Sequence, residues 1–151
     1  MKFEGDFRSK LPAQETTIFT VMSSLAAKHG AIDLSQGFPD FEISSELIRL
    51  VNKYMKKGHN QYAPMTGIPG LRNRISGKFK KIYGIRYHPE KEINITAGAT
   101  QALYSAITAC IGEEDEVIIF EPAYDAYAPA VKLNRGLIKY IQLQQPGYRI
   151  N

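Results

Sequence analysis

Glu92-Ile-Asn-Ile-Thr-Ala-Gly-Ala-Thr-Gln-Ala-Leu103, continuing through Tyr-Ser-Ala-Ile-Thr-Ala-Cys-Ile111 and Gly-Glu-Glu-Asp-Glu-Val-Ile-Ile-Phe120, decides the fold. Glu92 to Thr96 is a short β-rich run. The small residues Ala97-Gly98-Ala99-Thr100 open a helix predicted to reach about Ile111. Ala102, Leu103, Ala106, Ile107, Ala109, Cys110 and Ile111 leave so little of that helix polar that it is expected to be largely buried. Gly112 ends it, and Glu116 to Phe120 forms a second strand, apolar enough for a sheet covered on both sides. A Pro-containing helical segment at about Tyr124 to Leu133 leads to a third strand near Leu137 to Leu143. Strand, helix, strand, helix, strand is the pattern of a parallel sheet with right-handed crossovers and helices on both faces. The fold class is therefore α/β. Three strands alone would leave an open edge and much apolar surface, so the sequence reads as truncated within a domain.

Working outward toward the N-terminus, the pattern is helical. A third helix is expected from about Pro69 to Tyr83, with Leu71, Ile75, Phe79 and Ile82 on one face and Gly84 closing it. Before it lies the loop Asn60-Gln-Tyr-Ala-Pro-Met-Thr-Gly67. A second helix starts at a Ser44 or Ser45 cap, carries Leu47, Ile48, Val51, Tyr54 and Met55 as its stripe, and ends at Gly58 with Lys56 and Lys57 in its last turn. The loop Ser35-Gln-Gly-Phe-Pro-Asp-Phe41 precedes it, after a short extended piece at Ala31 to Ser35. A first helix spans about Thr16 to Lys28, with Ile18, Val21, Met22 and Leu25 in phase and Gly30 as its stop. Residues 1 to about 14, around Pro12, read as an irregular arm. The expected division is an arm-plus-helix portion at 1–31 and an incomplete domain at 32–151.

Composition excludes several classes. The chain has 151 residues, 44% of them hydrophobic and 23% charged, which is ordinary globular material. No apolar run approaches the roughly 18 to 20 residues needed to span a bilayer, and the charged start is no secretory signal. One cysteine, Cys110, forms no internal disulfide, and the expected compartment is the cytoplasm. The net charge of +4 gathers in Arg72, Arg74, Lys78, Lys80, Lys81 and Arg86, read as a solvated helix face. No nucleic-acid motif accompanies them. His29, His59 and His88 have no metal-ligand spacing and read as surface residues, so no metal site is expected. Cys110, on an apolar helix, reads as core filler.

Three features could carry chemistry. At Gly98-Ala99-Thr100 the backbone comes close to whatever lies beyond the strand. The new helix points free N–H groups and a positive dipole end there, the geometry that binds phosphate. A tight strand-to-helix turn with a plain cap is the alternative reading. Tyr124 stands just past the second strand, where open α/β sheets bind ligands, and its ring could lie over a flat heteroaromatic ligand or simply pack on its neighbours. The loops containing Gly37 and Tyr62 are, taken singly, only loops.

The four runs Asp33 to Phe41, Gln61 to Arg72, Ile95 to Leu103 and Phe120 to Tyr127, in this order, resemble the class I/II aminotransferases of the fold-type-I pyridoxal-phosphate (PLP) enzymes. The likeness runs from about Ile32 onward and is nearest the methionine, kynurenine and glutamine transaminase group. It implies the N-terminal part of the large PLP-binding domain, with PLP as cofactor. Residue by residue it implies that Gly98, Ala99 and Thr100 form the phosphate cup, and that Tyr124 stacks on the pyridine ring. It implies that Tyr62 reaches the PLP phosphate of a neighbouring subunit in a homodimer, and that Gly37 lies beside the substrate carboxylate. The implied substrates are an amino acid and a 2-oxo acid, with neither nucleic acid nor membrane as partner. The family's Schiff-base lysine has no matching position here, so the chain alone is expected to be inactive and to hold no catalytic residue. A PLP-dependent carbon–sulfur β-lyase and a non-catalytic truncated remnant are the competing readings.

Overall fold

A run of β-branched residues, Val117 to Ile119, with Ile119 buried, sets the first strand of the sheet. In the computed structural model, which describes residues 5, 8–11, 16–37 and 39–150, strand β1 spans Glu116–Glu121 and strand β2 spans Leu137–Gln142. They pair in parallel, with Glu116 opposite Leu137 and Glu121 opposite Gln142. The ladder is extended at both ends, where Leu137 N–H donates to Asp115 O at 2.8 Å and Leu143 N–H to Glu121 O at 2.9 Å. A parallel pair needs a crossover, and the helix Tyr127–Leu133 supplies it. Its Ala130 and Val131 are buried against the sheet, Val131 at 1% exposure, and Ile119 of β1 completes the apolar core. The return into β2 is tight. A Cβ on Gly136 would lie 2.8 Å from Ile111 Cγ2 and 2.9 Å from Val131 Cγ1, so only glycine fits between them.

The helices fall close to where periodicity puts them. In chain order, α1 is Ile18–His29, α2 is Ser45–Lys56, α3 is Pro69–Tyr83, α4 is Ala99–Cys110 and α5 is the crossover Tyr127–Leu133. Thr17 caps α1 through its hydroxyl, and Gly30 ends it with φ 60°. Ser44 is the N-cap residue of α2 but makes no side-chain cap bond, while the Glu46–Arg49 ion pair braces its first turn at 2.5 Å. Pro69 occupies the first turn of α3, where its missing N–H costs nothing, and Gly84 closes it with φ 73°. The backbone forms two compact units, one of residues 1–36 with 98–151 and the other of residues 37–97.

Several expectations change. Among the described residues the sheet has two strands, not three, because Glu92 to Thr96 forms no ladder. A strand exists by pairing, and the bond this run makes to the loop before α3 is from Ile95 N–H to Thr66 O at 3.2 Å. Ala31 to Ser35 likewise makes no ladder. Helix α4 has no buried residue, and Cys110 is exposed rather than core filler. Among the described residues α4 packs on α5, where Asn134 Nδ2 donates to Thr108 Oγ1 at 3.1 Å. The other sides, and the Ile118–Phe120 side of β1, face solvent. Arg72 leaves the solvated set: it is 7% exposed, and its Nη1 donates to Pro89 O at 3.0 Å. The three histidines are not buried. The arm around Pro12 lies largely outside the described residues, as does Phe38.

A glycine turn at the start of α4 and a tyrosine after β1

Gly98 adopts φ 144° and ψ 169° as the N-cap of α4. That region of the map is essentially restricted to glycine, because any Cβ there meets its own backbone. The strain is not steric crowding from elsewhere, since a Cβ on Gly98 would find nothing within 4 Å. Glycine at this position therefore serves the backbone direction and leaves open space beside it. The first intrahelical bond is Ala102 N–H to Gly98 O at 3.2 Å. The amides of Ala99 and Thr100, one and two residues into the helix, fall among those with no carbonyl one turn back. Both residues are exposed. Two such amides with the positive end of a 12-residue helix behind them suit an oxyanion, the dipole contributing ~0.3–1 kcal/mol. A phosphate monoester fits this donor set: the turn offers amides, a hydroxyl and room, and no carboxylate stands within α4.

Tyr124 lies three residues beyond the C-terminal end of β1, after a cis Glu121–Pro122 peptide. Its carbonyl accepts from Tyr127 N–H at 3.2 Å, which turns the chain into α5. The two rings meet edge to face at 5.7 Å between centroids and 76°. Tyr124 is half exposed, so one side rests on Tyr127 while part of its surface stays open to a ligand. The packing reading of Tyr124 is met by the contact with Tyr127. The expected position of Gly98 at a strand exit is not met, because no strand precedes it.

Gly37 and Tyr62 belong to the other unit. A Cβ on Gly37 would touch nothing within 4 Å. Tyr62 is wholly exposed, at 103%, and Met65 of the same loop is nearly so. Asp33, at the start of the first motif, accepts from the Ser35 hydroxyl at 2.6 Å and the Ser35 amide at 2.9 Å. The Ser35 hydroxyl, above all, holds the Asp33 carboxyl below its ordinary range.

Sequence reasoning passed over the most constrained residues of the loop before α3. Gly67 has φ 92°, and a Cβ there would sit 2.3 Å from Ile95 Cγ1. Arg72 and Ser76 are buried four positions apart on one face of α3. The signal that could have found them is that spacing, a cation and a hydroxyl in phase with Ile75 and Phe79 instead of with the lysines.

The chain is α/β, opens α4 with a glycine-only turn and carries an aromatic residue just past the end of a parallel strand. Comparison with known proteins narrows this: the profile of aminotransferase class I and II matches residues 29–151, and the chain belongs to that family. Its fold is that of the fold-type-I enzymes, and the family depends on PLP. The chain is 50% identical over 144 residues to methionine aminotransferase of Escherichia coli strain K12, covering 95% of this chain and 37% of that protein. The crystal structure of a methionine aminotransferase from Escherichia coli superposes with a TM-score of 0.92 at 49% identity, over 97% of this chain and 38% of that one. N-succinyldiaminopimelate aminotransferase from Mycobacterium tuberculosis gives a TM-score of 0.84 at 34% identity, over 94% and 37%. The chain thus spans somewhat more than a third of the length of these relatives. Among the described residues no helix is long and apolar enough to cross a membrane.

Proposed function

We propose that this chain is the N-terminal portion of a cytoplasmic, homodimeric, PLP-dependent aminotransferase that moves an amino group from an amino acid to a 2-oxo acid. The observation that carries the reading is the Gly98 turn, a glycine-only backbone with open space where a Cβ would stand, followed by the exposed residues Ala99 and Thr100 that begin α4. In this reading the amides of those two residues, with the Thr100 hydroxyl, hold the cofactor phosphate. The exposed part of the Tyr124 ring lies against the pyridine ring and keeps it from tilting. Tyr62, wholly exposed on its own subunit, donates to the phosphate bound by the neighbouring one. The backbone at Gly37, free of any side chain, borders the substrate carboxylate. When bound, PLP supplies an electron sink for bond breaking at the α-carbon of the amino acid. The residues of this chain position and charge-balance it. The lysine that anchors PLP and moves the proton lies outside residues 1–151, and so do the acid/base groups. The portion before residue 32 belongs with the small domain and the remainder with the large one.

The experiment uses the longer protein. After dialysis against PLP-free buffer it should retain PLP absorbance and form a 2-oxo acid from methionine in step with a new amino acid. Loss of all bound PLP together with no amino transfer would refute the reading. Release of pyruvate from a cysteine conjugate without amino transfer would assign a β-lyase instead. Residues 1–151 expressed alone should show no turnover.

A further inference from the structure

In the unit of residues 37–97, polar and backbone contacts join α3 and the loop before it to the segment that follows, beside an edge-to-face contact of Phe79 with Tyr87 at 5.4 Å between centroids. The unit's buried residues, among those described, are Gly67, Arg72 and Ser76. Each ties the loop before α3, or α3 itself, to the one segment that follows the helix. Ser76 Oγ donates to Tyr87 O at 2.5 Å and Arg72 Nη1 to Pro89 O at 3.0 Å. The segment closes on itself through His88 N–H to Glu92 Oε2 at 2.6 Å and Glu92 N–H to His88 O at 2.9 Å. At its far end Ile95 N–H donates to Thr66 O at 3.2 Å, and Gly67 N–H donates back to Pro64 O at 2.8 Å. The Ile95 side chain stands where a Cβ of residue 67 would be, 2.3 Å from Cγ1 and 2.6 Å from Cβ. The loop that carries Tyr62 therefore leans on Ile95 through a contact only glycine permits, while Tyr62 itself touches solvent.

We propose that Gly67 and Ile95 are positioning residues that hold the Tyr62 loop in the shape from which Tyr62 reaches the cofactor phosphate of the neighbouring subunit. This rests on the reading of Tyr62 given above. Without the brace the loop remains attached but samples other shapes, and its ordering cost then falls on cofactor binding. The effect passes through Tyr62, so it vanishes when the Tyr62 hydroxyl is absent. A purely structural role for Gly67 has no such dependence.

The test is a double-mutant cycle on PLP affinity, read by titrating the dimeric, full-length apo protein with PLP. Tyr62→Phe should weaken binding roughly tenfold or more, the loss of one hydrogen bond to a charged group. Gly67→Ala should weaken binding severalfold in the parent protein and less than about twofold in the Tyr62→Phe protein. An equal loss in both backgrounds overturns the proposal and makes Gly67 a residue of general stability. An unchanged affinity in Tyr62→Phe instead overturns the Tyr62 reading, and the proposal falls with it. Should Gly67→Ala fail to fold, Ile95→Ala removes the opposing wall while keeping both the glycine and the Ile95 N–H bond. It goes through the same cycle: a loss confined to the protein with Tyr62 supports the brace, and a loss independent of Tyr62, or none, overturns it.

Discussion

Replacing Gly98 by alanine in the full-length protein isolates a backbone effect. No heavy atom lies within 4 Å of the added Cβ, so no clash contributes. The cost comes from φ 144° and ψ 169° alone, a region worth about 1–3 kcal/mol of strain for a residue with a side chain. Thermodynamics fixes where this can appear. If the substituted residue keeps the native angles, apo and holo protein lose equal stability and PLP affinity is unchanged. If the apo turn relaxes, its stability recovers, but binding must then restore the strained turn, and affinity falls about 5- to 150-fold for the same 1–3 kcal/mol. The stability of the holo protein drops by the full strain in either case. Because the turn is exposed and helix ends relax readily, the loss should fall mostly on affinity. Pyridoxal, which lacks the phosphate, does not require the turn and should bind the variant as it binds the parent. The assay is urea unfolding of apo and holo protein, with titrations by PLP and by pyridoxal. Equal weakening of both ligands would refute the assignment of the amides to phosphate. A holo protein as stable as the parent would refute the strain argument itself.

Gly136→Ala should lower stability by ~1–3 kcal/mol in denaturant unfolding, because its Cβ would overlap Ile111 and Val131 methyl groups at 2.8 and 2.9 Å. Ser76→Ala leaves the Tyr87 carbonyl without its buried donor and should cost ~1–3 kcal/mol by the same measurement, with Ser76→Thr recovering part of it. Asp33→Asn has a pH signature. The folded carboxyl sits below the ordinary value of about 3.9, so its contribution is complete above that value and disappears as pH falls through the depressed one. The difference in urea midpoint between parent and variant should therefore be present at neutral pH and absent in strong acid.

Periodicity and punctuation made the helices legible. Each of α1, α3 and the second helix stops at or next to a glycine that has positive φ, Gly30, Gly84 and Gly58, because the left-handed stop is written in one residue type. The glycine turn that opens α4 was legible for the same reason, since Gly98 holds a φ of 144° that other residues avoid. That Glu92 to Thr96 forms no ladder among the described residues was not, since β-propensity describes fitness for a pleated surface and cannot supply the neighbouring strand. The burial of α4 failed on similar grounds: Ala102, Ala106 and Cys110 state that a cover is needed, and the chain's own cover, α5, reaches one side. Arg72 was hidden by its company. A lone arginine among Arg74, Lys78, Lys80 and Lys81 reads as surface charge, and only the three-dimensional return of Pro89 distinguishes it.

The two units therefore bury different kinds of groups, and they should respond to mutation in different ways. Around β1 and α5 the buried side chains are Ile119, Ala130 and Val131, so the governing quantity is volume, and Val131→Ala should cost what a cavity costs. Between α3 and residues 85–95 the buried groups are a glycine, a guanidinium and a hydroxyl. Volume decides at Gly67, where a Cβ would meet Ile95, while at Arg72 and Ser76 hydrogen-bond direction matters more, because a buried donor has few alternative partners. Arg72 is the sharpest case. Its Nη1 has the Pro89 carbonyl, while its buried Nε has no partner among the described residues. Lysine keeps the charge but has no planar fork to reach that carbonyl along the same line. Retention of charge would protect stability if Coulomb attraction held the segment, and geometry would decide if the hydrogen bond did. Among the described residues no carboxylate pairs with Arg72, and its bond is to a backbone oxygen, so Arg72→Lys should destabilise the segment nearly as much as Arg72→Met.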